Sequence, residues 1–286
     1  MTFAEFEQLR AELSLGVNAF LKVTALSKSS YYRKKRAACK AVQSERREAL
    51  QRAIKTLCEQ HPCLGYRPIH ALLCEQRPEL SCSASTVYRV MKALDLCQKP
   101  VKKRPVKSTP APLNIDQLGM TVGLDFTHWQ KQPICNVLEY ESRYCLASVV
   151  SSRETSEAAQ AALEQALHEA AKLGLPSTEI EVKSDHGSPF TAELFTTFLS
   201  EQRCQQTLSA VGRPQGMGRV ERLNRSIKEQ GLAREETSAP FEIQEVLDTY
   251  RSYYNTKRPH QALGYKTPIQ VIRQSTEIQA KLVSAT

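Results

Sequence analysis

The 286-residue sequence has no apolar stretch approaching the roughly 18 to 20 residues that a membrane-crossing helix needs. Its opening, MTFAEFEQLRAEL, is amphipathic and acidic, unlike a signal peptide, so the cytoplasm is the expected compartment. Cysteine occurs nine times but never as CxxC. A disulfide framework and a four-ligand zinc site therefore both lack the spacing they need. Cys58, His61, Cys63 and Cys74 come nearest to a metal cluster, and their apolar, helix-forming surroundings mark the cysteines as buried thiols. No internal repeat is present. Acidic residues are scarce at the front: residues 1–112 carry 21 Lys and Arg against 9 Asp and Glu, whereas the remainder carries 18 against 21. The net charge of +9 is thus +12 in one part and −3 in the other. A basic module joined to a mildly acidic one suggests a polyanion-binding segment attached to something else.

The segment QKPVKKRPVKSTPAPLN holds four prolines and five Lys or Arg with almost no large apolar residue. It cannot build a core, favours an extended linker, and would attract phosphates. Before it, residues 2–60 read as helices broken at ALSKSSYYRKKRAACK, with Ser27 or Ser29 as cap. Lys34, Lys35 and Arg36 lie beside tyrosines there and suit a DNA backbone. Residues 65–96 give two helices with a short connection, the second starting after Ser83 or Ser85. Val87, Val90, Met91 and Leu94 fall on one face, which turns Thr86, Arg89 and Lys92 outward as a major-groove helix requires. After the linker, strands are expected at 120–129, 134–140 and 144–152, turning at Glu141, Ser142 and Arg143. A helix over 156–174 with Gly174 as its C-cap follows. Next come a strand at 179–183, a helix over 189–201, a strand near 205–210 and a helix over 217–231. This order predicts an α/β fold with a mixed sheet and helices packed on it.

Three carboxylates stand out. Asp125 sits in the middle of an apolar strand, where an unpaired charge is costly. Asp185 follows another strand in VKSDHGSPF. There Gly187 is expected to let the chain reverse and Pro189 to start the next helix. Glu221 stands one turn into GMGRVERLNRSIKEQ, with 35 residues between it and Asp185. Each also has an ordinary reading, as the partner of a buried arginine, a turn residue, or half of an intrahelical pair with Arg225.

Together, LDFTHW, SDHGSPF and GRVERLNRSIK with that gap resemble the DD(35)E signature of retroviral-integrase-like transposases. YYNTKRPHQALGYKTPIQV resembles the tail of bacterial insertion-sequence transposases. GYRPIHALL with STVYRVMKAL resembles their helix-turn-helix, and ALSKSSYYRKKR a segment near their N-terminus. The sequence is identified as similar to the OrfB type of the insertion-sequence-three family. Met217 and Gly218 stand where that group usually has an Asn-Ala pair.

The resemblance implies a ribonuclease-H-like catalytic core over 113–272. Before it would lie a basic helical region (1–60), an all-α helix-turn-helix segment (61–98) and the linker (99–112), and after it a tail (273–286). It implies two Mg²⁺ ions, replaceable by Mn²⁺, with Asp125 shared and Asp185 and Glu221 completing one site each. Mg²⁺ takes one or two carboxylates plus substrate phosphate oxygens, and two ions about 3.5 to 4 Å apart serve both ends of an in-line displacement. The expected reaction is nicking of transposon ends, followed by strand transfer through 3′-hydroxyl attack. Lys34, Lys35, Arg36, Arg89, Lys92, Lys102, Lys103, Arg104, Arg219, Arg222, Arg225 and Lys228 are the candidate DNA contacts, with His186 beside the acids. Expected partners are terminal inverted repeats and target DNA, further copies of the chain on DNA, and an upstream helix-turn-helix protein or frameshift fusion. Two other readings share these features: a DNA-binding regulator with an inactive core, and a metal-dependent nuclease that does not join. Three acids at the right gap argue against the first, and the RPH tail and basic front favour a transposase over the second.

Overall fold

A computed structural model describes residues 3–97, 118–209, 217–235, 237 and 239–275. The chain divides into two compact units, residues 1–101 and 102–286.

The first unit is helical: α1 (Phe3–Glu12), α2 (Val17–Val23), α3 (Lys28–Gln60), α4 (Tyr66–Gln76) and α5 (Ala84–Ala93). Ser27 caps α3 by accepting from the Ser30 N–H, and Ser83 caps α5 through the Thr86 N–H. The break expected near residue 25 is there, but beyond it the chain runs as one helix of 33 residues. Near its start, α3 is pinned by Tyr31, which is buried, stacks on Phe3 and donates to the Glu7 carboxylate. Towards its end it shares a core with α4 and α5, in which Ile54, Ile69, Leu73 and Val87 are fully enclosed. Of the four residues expected on the inner face of α5, Val87 and Met91 are buried and Val90 packs against that core. Leu94 is 38% exposed, because α5 stops at Ala93 and Leu94 is its C-cap.

The second unit is built on a sheet of β1 (Thr121–Trp129), β2 (Gln132–Glu139), β3 (Cys145–Val150), β4 (Glu181–Ser184) and β5 (Gln205–Leu208). Their order is β3-β2-β1-β4-β5, antiparallel among the first three and parallel from β1 onward. This is the mixed sheet expected, and a ribonuclease-H-like layout. The connection between β1 and β2 needs only Gln130 and Lys131, both at positive φ (47° and 70°), as a two-residue hairpin turn requires. On one face lie α6 (Ser156–Lys172), α7 (Ser188–Thr191) and α8 (Glu193–Glu201), closing over Leu124, Val137 and Val182. α6 presents Ala159, Ala162, Ala166 and Ala170, whose small side chains let it lie close to the strands. Gly174 follows it at φ +71°. The opposite face carries α9 (Gly218–Ser226) and α10 (Pro240–Thr256), packed on Ile134, Leu138 and Cys145.

Two helices differ from expectation. The helix foreseen over 189–201 is split by Ala192, which is extended (φ −67°, ψ 145°). The one foreseen over 217–231 is α-helical only to Ser226 and continues as a π-turn, Ile227–Gly231. At its end a Cβ on Gly231 would stand 2.9 Å from the Tyr250 ring of α10, so the close approach requires glycine.

α10 itself, which the sequence analysis leaves unassigned up to residue 252, seals the outer edge of β3. Asn255 bonds both the N–H and the C=O of Cys145 (2.8 and 2.9 Å). Arg251 donates to the Leu146 carbonyl, and Gln244 bonds the Val150 N–H and the Ser148 carbonyl. The RPH tail then docks on the core. Gly264 turns at φ +63°, Leu263 is buried, and His260 is enclosed with its ring 4.6 Å from that of Tyr254. Burial lowers the His260 pKa to about 3, so the ring is neutral. Thr267 and Gln270 form reciprocal backbone bonds around Pro268, opening a final helix over 268–275.

Candidate functional site

β1 brings Asp125 to the face covered by α9. Two residues earlier, Gly123 admits that helix: a Cβ there would lie 2.6 Å from Val220 and 2.4 Å from the Tyr140 ring. Alternation along a strand puts Gly123 and Asp125 on the same side, so the glycine sets how near α9 comes to the aspartate. β4 runs parallel to β1, pairing Gly123 with Lys183, which leaves Asp185 just past the strand end. Glu221 occupies the first turn of α9, where the helix dipole favours a carboxylate.

Asp125 senses the other two acids. Burial is the main cause raising the Asp125 pKa to about 7, followed by the negative charges of Asp185, Glu221 and Glu154. Asp185 and Glu221 are themselves exposed. Asp185 Oδ1 accepts the Gly187 N–H at 2.8 Å. Gly187 has an ordinary φ of −57°, so it is not there to reverse the chain as the sequence analysis expects. A Cβ there would stand 2.9 Å from the Asp185 Oδ1, so a larger residue would shift that carboxylate. Pro189 does open the next helix, within α7. Asp125 Oδ2 accepts from Asn224 Nδ2 at 2.7 Å.

Among the described residues no three His, Cys, Asp or Glu side chains converge into a group that could hold a metal ion, and that includes the surroundings of Cys58. The carboxylates fit a divalent cation by charge and by their hard oxygen donors rather than as a closed cage. Mg²⁺ needs only one or two of them, the rest of its shell being water and phosphate.

The basic residues on α9 divide. Arg219 donates to the Tyr140 carbonyl (2.6 Å) and to Glu141 (2.9 Å) and lies over the Tyr140 ring, which anchors the start of the helix. Arg222 and Arg225 are exposed, and Lys228 is half-exposed on the π-turn. His186 is exposed beside Asp185. In the helical unit Lys34, Lys35 and Arg36 are exposed on α3, with Lys34 over the Phe6 ring and Arg36 bonded to the Tyr32 carbonyl. Tyr32, Lys35, Arg36, Cys39, Lys40 and Gln43 line an open concavity along that helix. Arg89 and Lys92 are exposed on α5, and Arg89 is braced by Ser85 and Thr86. Lys102, Lys103 and Arg104 lie outside the described residues.

Sequence reasoning misses several polar residues around the acids. Asn224 is three positions after Glu221, hence on the same helix face, a spacing that could have revealed it. Asn136 pairs in register with Asp125, and Ser148 with Asn136. A polar residue inside PICNVLEY is a signal, but its partner depends on register. Glu139 is 1% exposed and accepts from the N–H groups of Gly119, Glu141 and Ser142 and from the Ser142 hydroxyl, organising the β2–β3 turn.

Residues 111–214 and 202–268 match models of the integrase core domain, and residues 45–104 an HTH-like domain. The chain is 28% identical over 225 residues to the transposase InsD for insertion element IS2 of Escherichia coli, covering 74% of each. It is 25% identical over 233 residues to the insertion element IS476 uncharacterized 39.2 kDa protein of Xanthomonas euvesicatoria, covering 78% of this chain and 64% of that one. The catalytic core domain of BIV integrase is similar in structure, with TM-score 0.46 and 22% identity over 57% of this chain and 99% of that one. Residues 111–268 thus carry an integrase core domain and residues 45–104 an HTH-like domain. The chain is homologous to insertion-element transposases and consistent with the OrfB type of the insertion-sequence-three family.

Proposed function

We propose that the chain is a DNA transposase that nicks transposon ends and joins the freed 3′-hydroxyls to target DNA, with Asp125, Asp185 and Glu221 as its metal ligands. The observation that carries this reading is the Asp125 carboxyl on β1, raised first by burial and then by the neighbouring charges of Asp185, just past β4, and Glu221 on α9. A divalent cation would offset the negative charge gathered around Asp125, and a strongly perturbed carboxyl beside other acids is typical of a reaction centre. Mg²⁺, or Mn²⁺ in its place, supplies activation of the attacking oxygen and stabilisation of the leaving one when bound as a pair. The protein's own part is to hold three carboxylates on a rigid sheet and helix, and to offer Arg222, Arg225 and Lys228 to phosphates. His186 and Arg219 flank the same acids.

The proposed division of labour assigns residues 1–60 and 61–98 to DNA binding, through Lys34, Lys35 and Arg36 on α3 and Arg89 and Lys92 on α5. The basic segment 99–112 joins them to a catalytic core over 113–272, followed by a tail from 273. Transposon ends and target DNA are the proposed substrates, met by several copies of the chain in the cytoplasm, alone or with an upstream helix-turn-helix partner or fusion. A strand-transfer assay on terminal DNA with Mg²⁺ or Mn²⁺ tests the core of this. Asp125→Asn, Asp185→Asn and Glu221→Gln should each lower nicking and joining by at least about a hundredfold, as loss of a charge-stabilising group at a reaction centre does. Wild-type rates in Asp125→Asn would overturn the assignment, and cutting without joining in the wild type would mark a nuclease.

A further inference from the structure

Four side chains form a continuous polar line from the edge of the sheet to Asp125. Ser148 Oγ donates to Asn136 Oδ1 (2.6 Å), Asn136 Nδ2 to Asn224 Oδ1 (2.7 Å), and Asn224 Nδ2 to Asp125 Oδ2 (2.7 Å). Asn136 is 0% exposed, Ser148 1% and Asn224 6%. Asp125, Asn136 and Ser148 are cross-strand partners on β1, β2 and β3, and Asn224 reaches over them from α9. Nothing in the fold of the core demands three buried polar side chains here, and apolar residues of similar size would fill the same space at less cost.

The line has one sense. An ionised carboxylate only accepts hydrogen bonds, so Asn224 must present Nδ2 to it. Its Oδ1 then faces Asn136 and needs a donor, which only Asn136 Nδ2 can be. That leaves Asn136 Oδ1 facing Ser148, whose hydroxyl donates. Break the line at Asn136 and Asn224 Oδ1 loses its donor; break it at Ser148 and Asn136 loses the donor that fixes its own amide, so in either case the Asn224 amide facing Asp125 is less firmly held. The side-chain donor reaching Asp125 is a neutral amide and not Lys or Arg. It therefore orients the carboxylate without cancelling the charge that a cation would need.

We propose that Asn136 and Ser148 are positioning residues for the metal-dependent reaction. Through Asn224 they hold Asp125 in the orientation in which it binds a divalent cation, although neither touches the carboxylate. The proposal rests on the reading of Asp125 as a metal ligand. Partners behind a ligand typically change metal affinity by about 10–100-fold, and that is the size of effect to look for.

The test is Mn²⁺ binding to the full chain without DNA, followed by the paramagnetic resonance signal of free Mn²⁺, for wild type, Asp125→Asn, Asn136→Leu and Ser148→Ala. Side-chain amide spectra of ¹⁵N-labelled wild type are recorded with and without Mg²⁺. Asn136→Leu should weaken Mn²⁺ about tenfold or more, and Ser148→Ala, which removes a single hydroxyl, should weaken it less but in the same direction. The amide signals of Asn224 and of the fully enclosed Asn136 should both shift when Mg²⁺ is added to wild type. If Asp125→Asn loses Mn²⁺ while both relay variants bind as wild type does, the relay is wrong and the metal reading stands. If Asp125→Asn binds as well as wild type, the metal reading falls and the relay with it. Should Asn136→Leu fail to fold, Ser148→Ala and the wild-type spectra decide: an Asn136 signal indifferent to Mg²⁺ overturns the proposal.

Discussion

Asp125 is the residue on which opposing demands meet. The unfolded chain holds an ordinary aspartate of pKa 3.8, whereas in the fold burial and neighbouring acids raise it to about 7. A raised carboxyl contributes stability that is complete below the unfolded value and is lost as pH rises through the folded one. The metal-free protein should therefore become less stable, through this group, between about pH 4 and pH 7, by up to a few kcal/mol at about 1.4 kcal/mol per pKa unit. Asp125→Asn should melt above wild type at about pH 8, match it near pH 4, and gain nothing from Mg²⁺ that stabilises wild type. Melting curves across that range check this, and a mutant no more stable at the alkaline end would contradict it. The three acids were legible because spacing along the chain is a property of sequence alone. Asn136 and Ser148 were not, because their relation to Asp125 exists only once β1, β2 and β3 are in register. Gly187 was read for the wrong property: its backbone is not reversed, and what a side chain there would disturb is the Asp185 carboxylate, which no turn rule encodes.

Among elements, α9 and α10 show how closely the non-sheet parts are fitted to the strands. Gly123→Ala would drive a methyl into Val220 and Tyr140. Overpacking of this kind costs about 1–3 kcal/mol. It should also displace α9, so that strand transfer falls by more than the loss of folded protein explains. Comparing activity per folded molecule with chemical denaturation tests that, and equal losses would show that α9 need not sit so close. Asn255→Ala should cost about 1–3 kcal/mol, because two enclosed groups of Cys145 lose their partner. Denaturant midpoints measure it, and a neutral result would mean that water replaces the amide there. Strands and α6 were readable from apolar runs bounded by turn residues and from alanine at helical spacing. α10 also carries its signal, with Ile243, Leu247, Tyr250 and Tyr254 at helical spacing and buried. The break at Ala192 and the π-turn before Gly231 were not readable, since alanine favours helix and the Tyr250 contact is remote in sequence.

At the scale of the whole molecule, charge is partitioned, with the excess cations in residues 1–112 and a slight acidic excess in the remainder. Neutralising Lys34, Lys35 and Arg36 should weaken DNA binding at every sequence tested and flatten its salt dependence by up to about 0.9 in log–log slope per lost phosphate contact. Fluorescence anisotropy at several salt concentrations reads this, and an unchanged slope would remove α3 from the DNA interface. The division into a helical unit and a sheet-based unit was foreseeable from composition, because a stretch rich in proline and lysine cannot bury itself.

The sealing of β3 by Gln244, Arg251 and Asn255 has a consequence for damaged copies of the gene. A sheet edge with unpaired peptide groups is a template on which further strands grow. In the intact chain that growth is capped by side chains supplied more than ninety residues later in the sequence, at separations of 94 to 110. A product cut short before residue 244 would keep the acids and all five strands yet lack the cap, and it should precipitate rather than persist as a dominant inhibitor. The helix Pro240–Thr256 is thus a stopper on which the solubility of a truncated product should depend, and the pelleted fraction of such a product measures it.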